Sequence, residues 1–207
     1  MASSYRHKRW WAFLKAWGRS PGAVGAVIAT GATASKTLAR AAGVEDAALI
    51  LEMGAGTGEV TYSILSLAKK HTRLLTIERD PELAAIVRER FQSPSTDFYA
   101  WCDVITGDAK DAARFLEERG LPKVNSVVSA IPFTTLSRTA QSEILDIVEE
   151  VLDDQGGFST IVYIHSMCLP SFWMLVRALK SRFPKVSLVG PIWKNAPPAI
   201  ILKAWKI

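Results

Sequence analysis

The sequence predicts an α/β fold: a seven-stranded, mostly parallel sheet with helices on both faces, its last strand reversed, preceded by an amphipathic N-terminal helix. Three observations lead there. From residue 48 onward, short β-branched or Leu-rich runs alternate with helical patterns, as parallel strands joined by crossover helices do. The first run ends in Glu52-Met53-Gly54-Ala55-Gly56-Thr57-Gly58, a glycine-rich turn that opens directly into a helix. The final two strands are linked only by Lys194-Asn195-Ala196-Pro197-Pro198, which is too short for a crossover, so the last runs antiparallel to its neighbour.

In chain order, strands are expected at residues 48–53, 73–78, 101–106, 124–130 and 158–165, with helices between them at 60–70, 81–91, 111–119 and 137–152. Asp80 followed by Pro81 supplies an N-cap with proline at the first helical position, and Gly156-Gly157 reads as the stop of the fourth helix. A helix at 171–183 and strands at 186–193 and 199–206 complete the pattern. Three parts are expected: an amphipathic helix at 1–20, a helical lead-in at 21–47 that covers the site, and the sheet domain at 48–207.

Length and composition bound the class. A chain of 207 residues, 49% apolar and 22% charged, is one domain with at most an appendage and can bury a substantial core. Disorder and a small disulfide scaffold are excluded. Cys102 and Cys168 offer no metal-ligating spacing and fit a reducing compartment, so no metal is expected. The most apolar stretch, near residues 23–34, is broken by Gly25, Gly31 and two threonines, and no secretory signal is read. Residues 1–40 hold seven basic residues and no acid, whereas the remainder holds 18 basic and 20 acidic residues. A basic arm on a nearly neutral body points to a polyanionic partner, nucleic acid or an anionic membrane.

The glycine turn lets a ligand approach the backbone at a helix N-terminus. Glu78 ends the second strand, about 20 residues on, where a carboxylate can accept hydrogen bonds from both ribose hydroxyls. Gly107-Asp108-Ala109 follows the third strand and brings a second carboxylate to the same edge, within reach of an adenine amino group. A dinucleotide site would more often carry a third glycine where this chain has Glu59, whose charge would repel a pyrophosphate.

Together these residues resemble the class I S-adenosylmethionine-dependent methyltransferases, with a Rossmann-like sheet, over about residues 48–207. The resemblance implies S-adenosylmethionine as cofactor. Gly54, Gly56 and Gly58 would pass under it, Glu78 would hold the ribose, Asp108 with Ala109 the adenine, and Glu52 would face the methionine end. Otherwise Glu52 and Asp108 cap helices or hold loops.

The fourth strand ends in Ser129-Ala130-Ile131-Pro132-Phe133-Thr134, where methyltransferases acting on nitrogen carry an N-L-P-Y or D-P-P-Y type sequence. Serine at the first position argues against nucleobase amines and is similar to the form found in bacterial phospholipid N-methyltransferases, which act on phosphatidylethanolamine. That resemblance extends to residues 22–27 and 35–39 and departs between Thr30 and Ser35. It implies that Ser129 stands beside cofactor and amine and that Ile131, Pro132 and Phe133 line the substrate side, unless they form only a strand exit with a buried aromatic.

Trp10, Phe13, Leu14 and Trp17 fall at i, i+3, i+4 and i+7, flanked by Arg6, Lys8, Arg9, Lys15 and Arg19. This is the pattern of an interfacial helix with its rings at headgroup level. At roughly 1 kcal/mol per basic residue near an anionic surface, the flank would contribute about 3 to 5 kcal/mol. A core-packed helix and an RNA-binding platform are the other readings.

A lipid amine is an ammonium at neutral pH and must lose a proton before it can attack a methyl group. His165, at the carboxyl end of the fifth strand, is the candidate base, with Tyr163 on the same strand face as a polar contact. Lys194, Asn195 and Arg138 are candidates for the lipid phosphate, and Phe133 for cation–π stabilisation of the methylated nitrogen. The sequence thus points to a monomeric enzyme on the inner face of a bacterial cytoplasmic membrane, methylating phosphatidylethanolamine and its mono- and dimethyl forms toward phosphatidylcholine. An RNA adenine N-methyltransferase and a non-catalytic lipid-binding module are the alternatives.

Overall fold

The computed structural model describes residues 30–92 and 101–207, so the amphipathic arm with Lys8, Arg9, Trp10, Phe13, Leu14, Lys15 and Trp17 lies outside the described residues, as does the lead-in before residue 30. The elements in chain order are α1 (Ala32–Ala41), β1 (Leu49–Met53), α2 (Glu59–Leu67), β2 (Arg73–Glu78), α3 (Pro81–Phe91), β3 (Trp101–Thr106), α4 (Ala112–Glu117) and β4 (Val124–Ser129). They continue with α5 (Arg138–Val151), β5 (Leu152–Tyr163), α6 (Pro170–Arg182), β6 (Lys185–Ile192) and β7 (Ala199–Trp205). Among the described residues, the strands form one seven-stranded sheet in the order β3-β2-β1-β4-β5-β7-β6.

Strands β1 to β5 pair in parallel, and β7 runs antiparallel to both β5 and β6. The reversal expected from the short final link is therefore present. Because β1 is buried on both faces, it reads as the unbroken apolar run Leu49-Ile50-Leu51 before the buried Glu52. Leu49, Leu51 and Met53 face a core built with α4, α5 and α6, whereas Ile50 faces one built with α1, α2 and α3. Helix α3 begins as its sequence requires: Asp80 accepts N–H bonds from Glu82 at 2.8 Å and Leu83 at 3.2 Å, with Pro81 next in line.

Helix α1 is fixed to the sheet by two hydroxyls that the strands carry in otherwise apolar surroundings. Ser126 Oγ donates to Ala42 O at 2.7 Å and Ser159 Oγ to Leu38 O at 2.8 Å, which satisfies carbonyls at the end of α1. No helix among the described residues is long and apolar enough to cross a membrane.

Two expectations change. Helix α5 stops at Val151, and Gly156 and Gly157 lie inside β5 rather than ending the helix. Their reason is close packing: a Cβ on Gly157 would stand 2.7 Å from Ala42 O and 2.9 Å from the Trp205 ring. The fifth strand also ends at Tyr163, so His165 belongs to a short 3₁₀ turn, Ile164–Cys168.

Gly157→Ala should destabilise the fold by about 1 to 3 kcal/mol, because a rigid carbonyl and the half-buried Trp205 indole both crowd an added Cβ. Thermal unfolding measures it. Gly120→Ala, where φ is 58° but an added Cβ meets nothing within 4 Å, reports the cost of backbone strain without crowding.

Candidate active site

The parallel order reverses between β1 and β4, so the crevice at their carboxyl ends is where open α/β sheets bind ligands. Three backbone bonds stitch that edge together. Gly54 N–H donates to Ile77 O at 2.8 Å, Gly107 N–H to Glu78 O at 3.0 Å, and Ala130 N–H to Met53 O at 3.0 Å. The ends of β1, β2, β3 and β4 are thereby held in register where the expected site residues emerge.

Gly54, Gly56 and Gly58 all have positive φ, 80°, 56° and 85°, which side chains disfavour. A Cβ on Gly54 would also come within 3.2 Å of Ile131, so the half-buried Ile131 covers the turn from the β4 side. Glu78 anchors the turn from below. Its Oε2 accepts the Gly56 N–H at 2.8 Å and its Oε1 the Asp80 N–H at 2.9 Å. Burial raises the Glu78 pKa against these bonds. Each oxygen keeps a lone pair, an acceptor set that fits the two hydroxyls of a ribose.

Glu52 is fully buried one strand away, and its Oε2 accepts hydroxyl bonds from Thr61 on α2 at 2.8 Å and Thr76 on β2 at 2.9 Å. Its Oε1 has no hydrogen-bond partner among the described residues. An orphaned carboxylate oxygen beneath the glycine turn fits a cationic ligand such as S-adenosylmethionine, whose sulfonium and ammonium are both positive. Glu59 is ion-paired with Arg90 at 3.1 Å, and Arg90 also donates to Thr57 O and Gly58 O, closing the far end of the turn.

Asp108 is half-buried and accepts the Lys110 N–H at 3.0 Å, so it caps the 3₁₀ turn Ala109–Asp111 while remaining at the expected edge beside the buried Ala109. Ser129 is fully buried, and its Oγ accepts the Ile131 N–H at 3.2 Å; its hydroxyl shapes the loop. Pro132 is half-buried. Phe133 differs from expectation: its ring is fully buried edge-on to Phe158 at 6.2 Å, so it fills the core and no face is open to a cation.

On the other side of the edge, His165 is exposed and stacks on Tyr163 at 5.9 Å. Tyr163 is buried and bonded to Thr30, and burial raises its phenol pKa, so it stays protonated at neutral pH and is not a base. Asn195 also departs from expectation. It is buried, accepts the Gly31 N–H at 2.8 Å and donates to Pro197 O at 2.7 Å, which makes it a clamp between the β6–β7 link and the start of α1. Lys194 and Arg138 are exposed.

Sequence reading missed Thr61, Thr76 and Arg90. The two threonines carried a weak signal, as hydroxyls at positions where α2 and β2 are otherwise apolar.

Burial pushes the Glu52 carboxyl from its ordinary 4.5 up to about 7; the Thr61 and Thr76 bonds oppose this and the negative Glu78 adds to it. Between those two values the folded chain keeps a proton that the unfolded chain has released. Stability from this group is therefore full below the window and falls as pH rises through it, by on the order of 3 kcal/mol. Glu52→Gln should flatten that fall, as measured by denaturant unfolding at about pH 5 and about pH 8. An unchanged slope would assign the pH dependence to another group.

No protein-family model matches the chain. An ornithine lipid N-methyltransferase of Singulisphaera acidiphila is 31% identical over 165 residues, covering 80% of this chain and 79% of that protein. Among solved structures, precorrin-6y C5,15-methyltransferase from Geobacter metallireducens matches with a TM-score of 0.62 at 18% identity, over 84% of this chain and 88% of that one. An O-methyltransferase from Bacillus cereus, solved in complex with SAH, also gives 0.62, at 16% identity over 84% and 81% of the two chains. The reversed seventh strand, the anchored glycine turn and this relative lead to one conclusion: the chain belongs to the class I S-adenosylmethionine-dependent methyltransferases, with S-adenosylmethionine as its cofactor.

Proposed function

We propose that this methyltransferase acts on the headgroup amine of a membrane lipid, at the cytoplasmic face of a bacterial membrane. The likeness to an ornithine lipid N-methyltransferase over 80% of the chain carries the reading. The Ser129 to Phe133 loop supports it from the sequence side and favours phosphatidylethanolamine and its mono- and dimethyl forms, whereas the relative favours ornithine lipid. Both headgroups pair an amine with a nearby anion, phosphate in one and carboxylate in the other.

When bound, the cofactor supplies an electrophilic methyl group on a sulfonium. The protein's part is alignment, proton removal and exclusion of water. Glu78 holds the glycine turn and keeps acceptors for the ribose, and Glu52 offers its unpartnered carboxyl oxygen beneath the turn. His165, exposed at the carboxyl edge, accepts the proton that the ammonium must lose, and Lys194 and Arg138 meet the headgroup anion. The arm at residues 1–20 brings its ring face and basic flank to the bilayer.

Two measurements test this reading. With methyl-labelled S-adenosylmethionine, label should enter vesicles containing phosphatidylethanolamine or ornithine lipid, and the preferred one names the substrate; label in RNA instead would overturn the lipid reading. Glu78→Ala should weaken S-adenosylmethionine binding by about 1.5 to 3 kcal/mol in calorimetry, the range for hydrogen bonds to a charged group. Unchanged affinity would remove Glu78 from the cofactor site.

A further inference from the structure

Charge is divided along the sheet. No acidic residue follows Asp154, yet the rest of the chain carries Arg177, Lys180, Arg182, Lys185, Lys194, Lys203 and Lys206. All 20 acids lie between Glu45 and Asp154. Because β5, β7 and β6 stand together at one end of the strand order, this stretch forms a continuous half of the molecule. Arg182 is paired with Asp146, and Lys206 donates to Leu152 O at 2.8 Å. The other five basic side chains have no acidic partner among the described residues.

The same half exposes large apolar side chains. Trp193 is 71% exposed, Trp173 55%, Leu188 53% and Leu169 44%. Trp101, exposed at the opposite end of the sheet, has the Arg73 guanidinium 4.6 Å over its ring, whereas no cation covers Trp193 or Trp173 among the described residues. Topology sets the place. Strand β6 lies parallel to β5, so Trp193 just past its end and Leu169 and Trp173 around the start of α6 share the carboxyl edge with the site. An uncovered apolar cluster of this kind marks an interaction surface.

We infer that the Leu169, Trp173 and Trp193 edge is a second membrane-docking surface, one that seats the mouth of the site on an anionic bilayer. The inference rests on the lipid reading above. Indole rings prefer the headgroup layer, and unpaired Lys and Arg beside them meet anionic lipid. The acid-rich half carries 11 basic and 20 acidic residues between positions 41 and 154, so the same field repels it and turns this edge toward the surface. The partner is thus a lipid surface of negative charge.

Cys168 gives a local probe. It is exposed and adjoins Leu169, while Cys102 is buried with its thiol pushed up to about 12 and will not label. An environment-sensitive fluorophore on Cys168 of the full chain should shift to the blue on vesicles of phosphatidylglycerol and phosphatidylcholine, and the shift should shrink with added salt. Trp173→Ser with Trp193→Ser should lower vesicle affinity about tenfold or more and leave methylation of a short-chain, water-soluble amine lipid within about twofold. Sedimentation with vesicles without any response at Cys168 would assign docking to the arm alone and overturn the inference. A response to RNA but not to vesicles would overturn it too. If no amine lipid is methylated in any form, the functional reading fails, and the probe still decides the surface separately.

Discussion

Two carboxylates sealed beneath one glycine turn set the terms for the rest of the site. Burial alone would drive Glu52 and Glu78 toward neutrality, and each is held by donors placed for that purpose: two threonine hydroxyls for Glu52, two backbone amides for Glu78. One of those amides belongs to Gly56. The turn is therefore shaped as much by the acid below it as by the ligand above it, and positive φ along the turn follows from that arrangement. The strand ends must hold still for this to work. The bonds from Gly54, Gly107 and Ala130 to the neighbouring strands supply that rigidity without using a side chain.

The cofactor half was legible because its signals are local. The bounds of β2, β3 and α3 coincide with the expected ones, since each rests on apolar runs and a cap read within a few residues. The glycine turn and Glu78 were found for the same reason. What stayed hidden depends on contacts distant in sequence. Asn195 looks like a surface polar residue until its bond to Gly31, 164 positions away, is seen. Phe133 sits in a loop motif that suggests a ligand wall, and only the approach of Phe158 shows a core ring. Gly156-Gly157 mimics a helix stop, because nothing nearby announces that α1 and Trp205 press against the strand there. For Glu52, sequence gave the residue and its face but not its two threonine donors, which come from different elements.

Strand order also constrains how the chain is assembled. Strand β6 is synthesised before β7, yet its hydrogen-bonding neighbour in the sheet is β7, which slots between it and β5. Until residue 205 has left the ribosome, β5 has an open edge and β6 has nothing to pair with. The cofactor half needs no such wait, because β3, β2, β1 and β4 are contiguous in the sheet and made first. A nascent chain can thus hold a formed cofactor crevice while its β5–β7–β6 half is still unzipped, with apolar strands uncovered. A ribosome stalled before β7 emerges would therefore leave a chain prone to sticking through those open strands, a hazard that a sheet built in simple sequence order would not carry.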